Sequence, residues 1–492
     1  MKRNSSAIAD DTFDVFIIGG GIYGAWSAYF CALAGLKTAI VDKADWANGT
    51  SSASTKLIHG GLRYLENLHL NLVRKSVLER EFLQKAAPHR VHPQRFVIPQ
   101  YGQSRFQYIK IKTGLTVYDA IAGKHLAARR HSRLTAEEMH QRNPLLKKDD
   151  LNYGLGYFDS QTNDARLVLE IIDGAMSFGA CAVNYAQVNH IEKTNVFQIQ
   201  LTDRISKQEI TTRSKIIINA AGPWLNPLLP TKFQGQWIPR LTKGIHLVLD
   251  QNIGDDAYLL RAPQDNRVFF AIPYFNKTLL GTTDTDWSGN ADDIDVSDQD
   301  IAYMLDAFQH YFPQASTNII NVFAGLRVLP QSAGKSESAV TRDWLGEEID
   351  ENYWLSFGGK ITSARTDVLQ MVRAILRKNW PSNSNKLIIP DALPWSPGLP
   401  FDRWYDNTRE SLKRIGIDSF GQSALPKRYG NKMDTVIEYL TNDKKNNTQI
   451  FPGYPFYHGE LGYLRDHEMV TADADIWHRR LEVSKLVPNF DK

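Results

Sequence analysis

The sequence predicts an α/β protein with a nucleotide-binding sheet at its N-terminus, a mixed or antiparallel sheet inserted into it, and a small helical C-terminal domain. Three observations carry this prediction. Residues Asp14 to Asp42 spell out strand, glycine turn, helix and second strand in order. Short strand-like runs succeed one another between residues 197 and 281. Beyond about Pro400 the pattern changes to helices separated by turns.

The first of these is the most specific. Phe13 to Ile18 reads as a buried strand that runs into Gly19-Gly20-Gly21-Ile22-Tyr23-Gly24, a G-x-G-x-x-G turn. Ala25 to Leu36 reads as a helix, and Lys37 to Val41 as a second strand ending on Asp42. Gly19 allows a tight turn, Gly21 a close approach of backbone to pyrophosphate, and Gly24 close packing of helix on strand. The helix N-terminus offers unpaired N–H groups and partial positive charge to phosphates. Asp42, about 20 residues on, is placed to accept hydrogen bonds from an adenosine ribose.

The remaining elements follow from periodicity and breakers. Asn71 to Ala87 reads as a helix, after which Pro88, Pro93 and Pro99 are expected to interrupt regular structure. A charged linker is expected to about Asp150, then an amphipathic helix over Asp164 to Gly179 with Leu167, Leu169, Ile172 and Met176 at near-helical spacing. Phe197 to Leu201, Glu209 to Asn219, Ile245 to Leu249, Val268 to Pro273 and Thr278 to Gly281 read as strands, with a hairpin turn at Tyr274 to Lys277. A helix beyond Ser363 returns to the nucleotide domain. In the C-terminal part, helices are expected over Leu425 to Leu440 and Thr471 to Ser484, with Thr471 as N-cap of the last. The division expected is 1–399 for the oxidoreductase region and 400–492 for the helical domain. Nucleotide-binding segments then lie near 13–64, 160–225 and 355–380, and substrate-sheet segments near 88–150 and 226–354.

Composition narrows the function classes. The 57 Lys and Arg against 54 Asp and Glu leave a net charge of +3, so bulk electrostatics do not suggest nucleic acid. The two cysteines, Cys31 and Cys181, exclude a disulfide framework, have no metal-ligand spacing and fit a reducing cytoplasm. Met1 to Asp11 is polar and lacks the apolar core of a signal peptide. The apolar run Val15 to Leu36 is broken by glycines, and no other segment approaches ~20 apolar residues, so no membrane crossing is expected.

Three further motifs make sense around a flavin. In Thr50 to Tyr64, small hydroxyl residues can bond phosphate and ribityl oxygens and Gly60-Gly61 can approach a flat ring. The candidate cofactor contacts there are Ser51, Ser52, Lys56, His59, Gly60 and Gly61. Ile217 to Gly222 is a buried strand ending in small residues, suited to pass beside a pyrophosphate, with Gly222 as a contact. Phe357-Gly358-Gly359-Lys360-Ile361-Thr362 is a glycine turn opening a helix. Its N–H groups, with Gly359, Lys360 and Thr362 as contacts, would face the electron-rich edge of the ring. The adenosine requirement of Asp42 excludes FMN, and the flavin motifs favour FAD over NAD.

The runs SSASTKLIHGGLRYLE, INAAGPW, GTTDTDW, AGLRVLP, AVTRDW and FGGKIT closely resemble the FAD-dependent, quinone-linked glycerol-3-phosphate dehydrogenases, over essentially the whole chain. The resemblance implies a glutathione-reductase-like FAD fold and oxidation of sn-glycerol 3-phosphate to dihydroxyacetone phosphate. It also implies substrate contacts at Arg63, Tyr64, Thr283, Arg327 and Arg342, with His246, Arg327 and Lys360 at the reacting centre. A phosphorylated polyol needs cations, and bidentate Arg is the best donor array. An alcohol does not ionise unaided at neutral pH, so a base within ~3 Å is required. His246 is the candidate and His59 the rival. Three departures stand out: Tyr23 where a small polar residue is common, Val328-Leu329 after Arg327, and Ala364 where an aromatic residue is usual.

Family members dock on the cytoplasmic face of the inner membrane and pass electrons to quinone. Residues 105–124, with Arg105, Lys110, Lys112 and Lys124 among Phe106, Tyr108, Ile109, Ile111 and others, suit that role. They suit an ordinary amphipathic surface element equally. Two other functions remain open from the residues: an oxidase or dehydrogenase of a related polyol phosphate or hydroxy acid, and a flavin-binding assembly protein without turnover. The combination of His246, Arg327, Arg342 and Lys360 argues against the last.

Overall fold

The computed structural model describes residues 1–62, 70–102, 105–122, 130–235, 239–329, 344–384, 387–390, 393, 400–488 and 490. Among the described residues two sheets organise the fold, one of eight strands and one of ten. In the first, Tyr353–Gly358, Glu209–Asn219, Thr12–Ile18, Thr38–Val41 and Cys181–Val183 run parallel in that spatial order. The outer half of Glu209–Asn219 alternates buried and exposed, whereas its last four residues are all buried. The change marks where the strand passes from an antiparallel edge into the interior of the parallel sheet.

The first helix, Ile22–Leu33, is buried along almost its whole length, with Trp26, Tyr29 and Phe30 packed on one another. It is sandwiched between Asp164–Ser177 and Ala364–Asn379. Cys31 lies in this core, where burial pushes its thiol up to about 12 and leaves it inert.

The second sheet carries Arg240–Leu249 at its functional end, paired with Lys277–Gly281, Thr285–Trp287 and Ile319–Leu329. The hairpin at Tyr274–Lys277 turns through Phe275 and Asn276, both at positive φ, as a tight hairpin requires. Pro93 and Pro99 do not break structure as expected. Both lie within the strand Val91–Tyr101. A second neighbour, Ala257–Arg261, pairs with that strand only at Phe96 and Val97, so each proline falls where the ladder is one-sided. Of the charged linker expected before Asp150, the described part holds a strand, Ser132–Thr135, and a helix, Ala136–Arg142. Thr135 and Glu138 form a reciprocal capping box that starts the helix Ala136–Arg142.

The C-terminal helices differ from expectation in two places. Leu425 to Leu440 is split into Ser419–Tyr429 and Met433–Thr441 by a short 3-10 turn. The last segment is Asp473–Asp475, a π-helical turn Ile476–Arg480, and Val483–Leu486. Thr471 does not cap it. Its N–H donates to Asp475 instead, and Ala472 holds the N-cap position. The π-turn presents Arg479 and Arg480 together to Asp45, which follows the first βαβ unit (Arg479 Nε to Oδ2 2.6 Å, Arg480 Nη2 to Oδ1 3.0 Å). Asp45 is fully buried. Burial opposes its ionisation, but the two guanidinium groups outweigh this and hold its carboxyl below the usual range. Among the described residues, no helix is long and apolar enough to cross a membrane.

Candidate active site

A cleft of about 1930 Å³ runs between the two sheets, bounded by all the glycine turns singled out in the sequence. At one end Gly19 turns at φ +106°. A Cβ on Gly24 would lie 1.8 Å from the Gly19 carbonyl oxygen, so only glycine lets the helix start this close to the strand. Gly21 is the N-cap, and Ser51 Oγ accepts the N–H of Ile22 at 3.0 Å across the phosphate-facing helix end. Asp42 stands beside this turn, its carboxylate accepting the N–H groups of Gly20 (2.6 Å) and Ala44 (2.8 Å). Burial dominates over those bonds and raises its pKa to about 6.

The turn Gly358-Gly359-Lys360 forms the adjoining wall. Here Tyr23, a departure from the family pattern, has a structural role. Its hydroxyl accepts the N–H of Lys360 at 2.9 Å and donates to Asp367 at 2.9 Å. Gly359, at φ +75°, passes so close to this hydroxyl that a Cβ would lie 1.8 Å from it. The expectation that the N–H groups of this turn all face the cleft is therefore corrected for Lys360. Gly222 lines the same cleft at its nucleotide end, beside Ala220 and Ala221.

The loop 50–62 divides its residues between cleft and core. Ser51, Leu57, His59 and Gly61 line the cleft, whereas Ile58 is wholly buried in the core. Four candidate contacts from these motifs point elsewhere. Lys56 is fully buried between Asp164 (2.6 Å) and Glu482 (2.5 Å), two partners that outweigh the cost of burying its charge. Ser52 faces a second cavity of about 430 Å³ behind the loop. Gly60 leaves room for Tyr118, whose hydroxyl lies 2.9 Å from the Gly60 nitrogen. Thr362 is buried, its hydroxyl accepting the N–H of His59 at 3.2 Å.

At the far end of the cleft, adjacent antiparallel strands bring His246 and Arg327 together, with Thr242 opposite Arg327 and His246 opposite Phe323. The His246 ring is 2% exposed, stacks on Phe323 at 4.9 Å, and has Nε2 3.0 Å from Thr55 Oγ1. Burial, then Arg327, Lys56 and Lys485, hold its pKa well below the ordinary imidazole value. The imidazole is therefore neutral at neutral pH and able to accept a proton. Arg327 donates to the Thr283 carbonyl (3.1 Å), to Asp284 (2.8 Å) and to Thr282 Oγ1 (3.2 Å), with about a quarter of its side chain exposed to the cleft. Thr283 is buried and its hydroxyl accepts the N–H of Ile245 at 3.1 Å.

Of the residues named from sequence, Gly19, Gly21, Asp42, Ser51, His59, Gly61, Gly222, His246, Thr283, Arg327, Gly359 and Lys360 line one cleft. Arg63, Tyr64 and Arg342 lie outside the described residues. Thr55 and Asp284, which engage His246 and Arg327, were not singled out. Both sit inside the matched motifs, and only their fold partners mark them. Among the described residues, no cluster of His, Cys, Asp or Glu could hold a metal ion.

The strand–glycine–helix cradle, the acid at its edge and the elongated cleft fit a flavin dinucleotide. Residues 14–363 match the FAD dependent oxidoreductase family, and residues 401–489 the C-terminal domain of alpha-glycerophosphate oxidase. The chain is 32% identical to the aerobic glycerol-3-phosphate dehydrogenase of Staphylococcus saprophyticus, covering 96% of this chain and 87% of that one. It is 30% identical to the enzyme of the same name from Staphylococcus aureus, covering 98% and 88%. The solved glycerol-3-phosphate dehydrogenase of Bacillus halodurans, complexed with FAD, superposes with a TM-score of 0.74 at 26% identity, over 97% of this chain and 87% of that one. The L-alpha-glycerophosphate oxidase of Mycoplasma pneumoniae shares the fold, with a TM-score of 0.58 at 19% identity over 74% and 94%. The chain belongs to the FAD-dependent glycerol-3-phosphate dehydrogenase family, and FAD is its cofactor.

Proposed function

We propose that this protein oxidises sn-glycerol 3-phosphate to dihydroxyacetone phosphate and passes the electrons to a quinone. The observation that carries the reading is the meeting of a buried neutral imidazole, His246, with a cleft-facing guanidinium, Arg327, on neighbouring strands in the cofactor cleft. Bound FAD supplies the hydride acceptor, at N5 of its ring. Arg327 would hold the phosphate by charge-assisted bonds and so restrain the position of C2. His246 accepts the proton of the C2 hydroxyl at Nε2 through the cleft-lining Thr55 hydroxyl, which passes its own proton to the ring as it takes up the substrate's. Lys360, at the opposite wall, adds positive charge where the departing proton leaves an alkoxide. On the nucleotide side, Asp42 receives the ribose, and the Gly19–Gly24 turn with Ser51 receives the pyrophosphate.

Delivery to a quinone calls for contact with a bilayer surface. The helix Arg105–Ala122 supports that contact. Leu115 and Tyr118 anchor it in the core, while Ile109 and Val117 stand exposed beside exposed Lys110 and Lys112. Oxygen as the acceptor is the second reading, favoured by the match of residues 401–489 to an oxidase C-terminal domain.

Anaerobic mixing with a panel of phosphorylated polyols and hydroxy acids tests the substrate. Flavin bleaching is expected fastest with sn-glycerol 3-phosphate, and equal or faster bleaching by another compound overturns that assignment. Reoxidation of the bleached enzyme by a soluble quinone, compared with oxygen, separates the two acceptors.

A further inference from the structure

The C-terminal domain reaches back to the loop that touches His246. Lys485 donates to the Ser52 carbonyl at 2.7 Å. Glu482, buried and at φ +58°, binds Lys56 of the same loop at 2.5 Å. It also accepts from Lys485 (2.8 Å), Asn163 (2.6 Å) and Tyr274 (3.1 Å). From the other side Asp164 binds Lys56 Nζ (2.6 Å) and Ser54 Oγ (2.7 Å). Thr55, the next residue, is the partner of His246 Nε2. A second path runs through Phe323, which stacks on His246 and lies 5.0 Å beneath the Lys485 ammonium.

We propose that Glu482 and Lys485 are positioning residues for His246: the C-terminal domain clamps the Ser52–Lys56 loop, fixing the Thr55 hydroxyl on the imidazole, and sets the charge around it. The inference rests on the reading of His246 as the proton acceptor.

The charges facing His246 come from four elements. Arg327, itself paired with Asp284, lies on the neighbouring strand. Lys56 lies on the clamped loop, and Asp164 at the start of a helix behind it. Glu482 and Lys485 lie on the C-terminal segment. Lys56 and Lys485 balance Asp164 and Glu482, so the clamp is neutral as a whole. Removing one member unbalances it with a defined sign. Burial opposes the charge on Glu482, but Lys485 and Lys56 outweigh it and hold that carboxyl down to about 2, so Glu482 is anionic throughout the working range. Loss of Glu482 leaves excess positive charge and makes His246 harder to protonate. Loss of Lys485 makes it easier.

The test compares Glu482→Gln and Lys485→Met in the full-length FAD-loaded protein. In both, anaerobic flavin reduction is expected to fall by about 10- to 100-fold, as displaced reacting groups do, with FAD content retained. The KM for glycerol 3-phosphate should stay within about twofold, because uniform binding is untouched. The decisive readout is the NMR titration of the His246 ring, assigned by its loss in His246→Gln. Its midpoint should move to lower pH in Glu482→Gln and to higher pH in Lys485→Met. Midpoints that stay put, or move the same way, overturn the inference. If Glu482→Gln does not fold, Lys485→Met alone decides, since an unshifted midpoint there overturns it equally. Opposite shifts that the acid limb of flavin reduction fails to follow uphold the clamp and remove His246 as the base.

Discussion

The hydroxyl of Tyr23 and the backbone N–H of Lys360 meet at 2.9 Å across 337 residues of sequence, joining the start of the first helix to the glycine turn on the opposite wall of the cleft. The same hydroxyl donates to Asp367, which also accepts from Lys75 and from Ser363 Oγ. The Tyr23 ring stacks on Trp344 at 6.2 Å. Tyr23→Phe keeps the ring and removes the bridge. Buried Asp367 and the half-buried Lys360 N–H each lose a partner, an expected cost of about 1–3 kcal/mol. Thermal unfolding of the FAD-loaded protein should register it, together with faster FAD release. Unchanged unfolding and release would mean that the bridge holds nothing.

Asp42 gives a pH dependence to cofactor retention. With its pKa raised to about 6, chiefly by burial, it is a carboxylate above that value and a carboxylic acid below it. Ribose hydroxyls bond the carboxylate more strongly. FAD release should therefore speed up as pH falls through about 6. In Asp42→Asn, release should be faster at pH 7, by about 10- to 100-fold, and should lose that pH dependence. A variant that keeps the parent's dependence would assign the titration to another group.

Arg327 separates charge from geometry. Arg327→Ala should lower kcat/KM for glycerol 3-phosphate by roughly 30- to 1,000-fold, the loss of a charge-assisted contact of about 2–4 kcal/mol. Arg327→Lys keeps the charge but loses the fork that spans Thr283, Asp284 and Thr282, and should recover only part of the rate. Full activity in the alanine variant would exclude Arg327 as a phosphate ligand.

His246 sets the acid limb of turnover. Its pKa lies below the ordinary value because of burial and three neighbouring cations, so the neutral base is fully present at pH 7. The anaerobic rate of flavin reduction should be flat through the neutral range and fall only in acid, below the usual imidazole pKa. His246→Gln should reduce it by about 10²–10⁴. A parent rate that still climbs between pH 7 and 8 would point to another proton acceptor, with His59 the next to test.

The nucleotide cradle was legible because its constraints are local. Gly19, Gly21, Gly24 and Asp42 act within one strand–turn–helix–strand unit, and the spacing itself encodes the geometry. The meeting of His246 with Arg327 is set by strand pairing between residues 81 apart, which periodicity cannot register and only the family resemblance supplied. The motif around Lys56 points to the cofactor, yet the Lys56 charge pairs with Glu482, 426 residues away. The final helix differs for a related reason: its N-cap signal at Thr471 is local, whereas the π-turn that pairs consecutive arginines with buried Asp45 depends on a contact 434 residues away. Pro93 and Pro99 looked like breakers until the one-sided pairing of their strand was known.

The pairing of Asp45 with Arg479 and Arg480 also orders events during synthesis. A nascent chain that has cleared residue 400 already contains the whole nucleotide sheet, but neither arginine has been made. Until they are made, Asn184 is the one side chain bonding Asp45 among the described residues, and burying that carboxylate without its counter-charges costs several kcal/mol. A chain cut short upstream of Arg479 is therefore expected to keep the Asp45 corner of its N-terminal unit wet or protonated, which limited proteolysis of such a fragment would report.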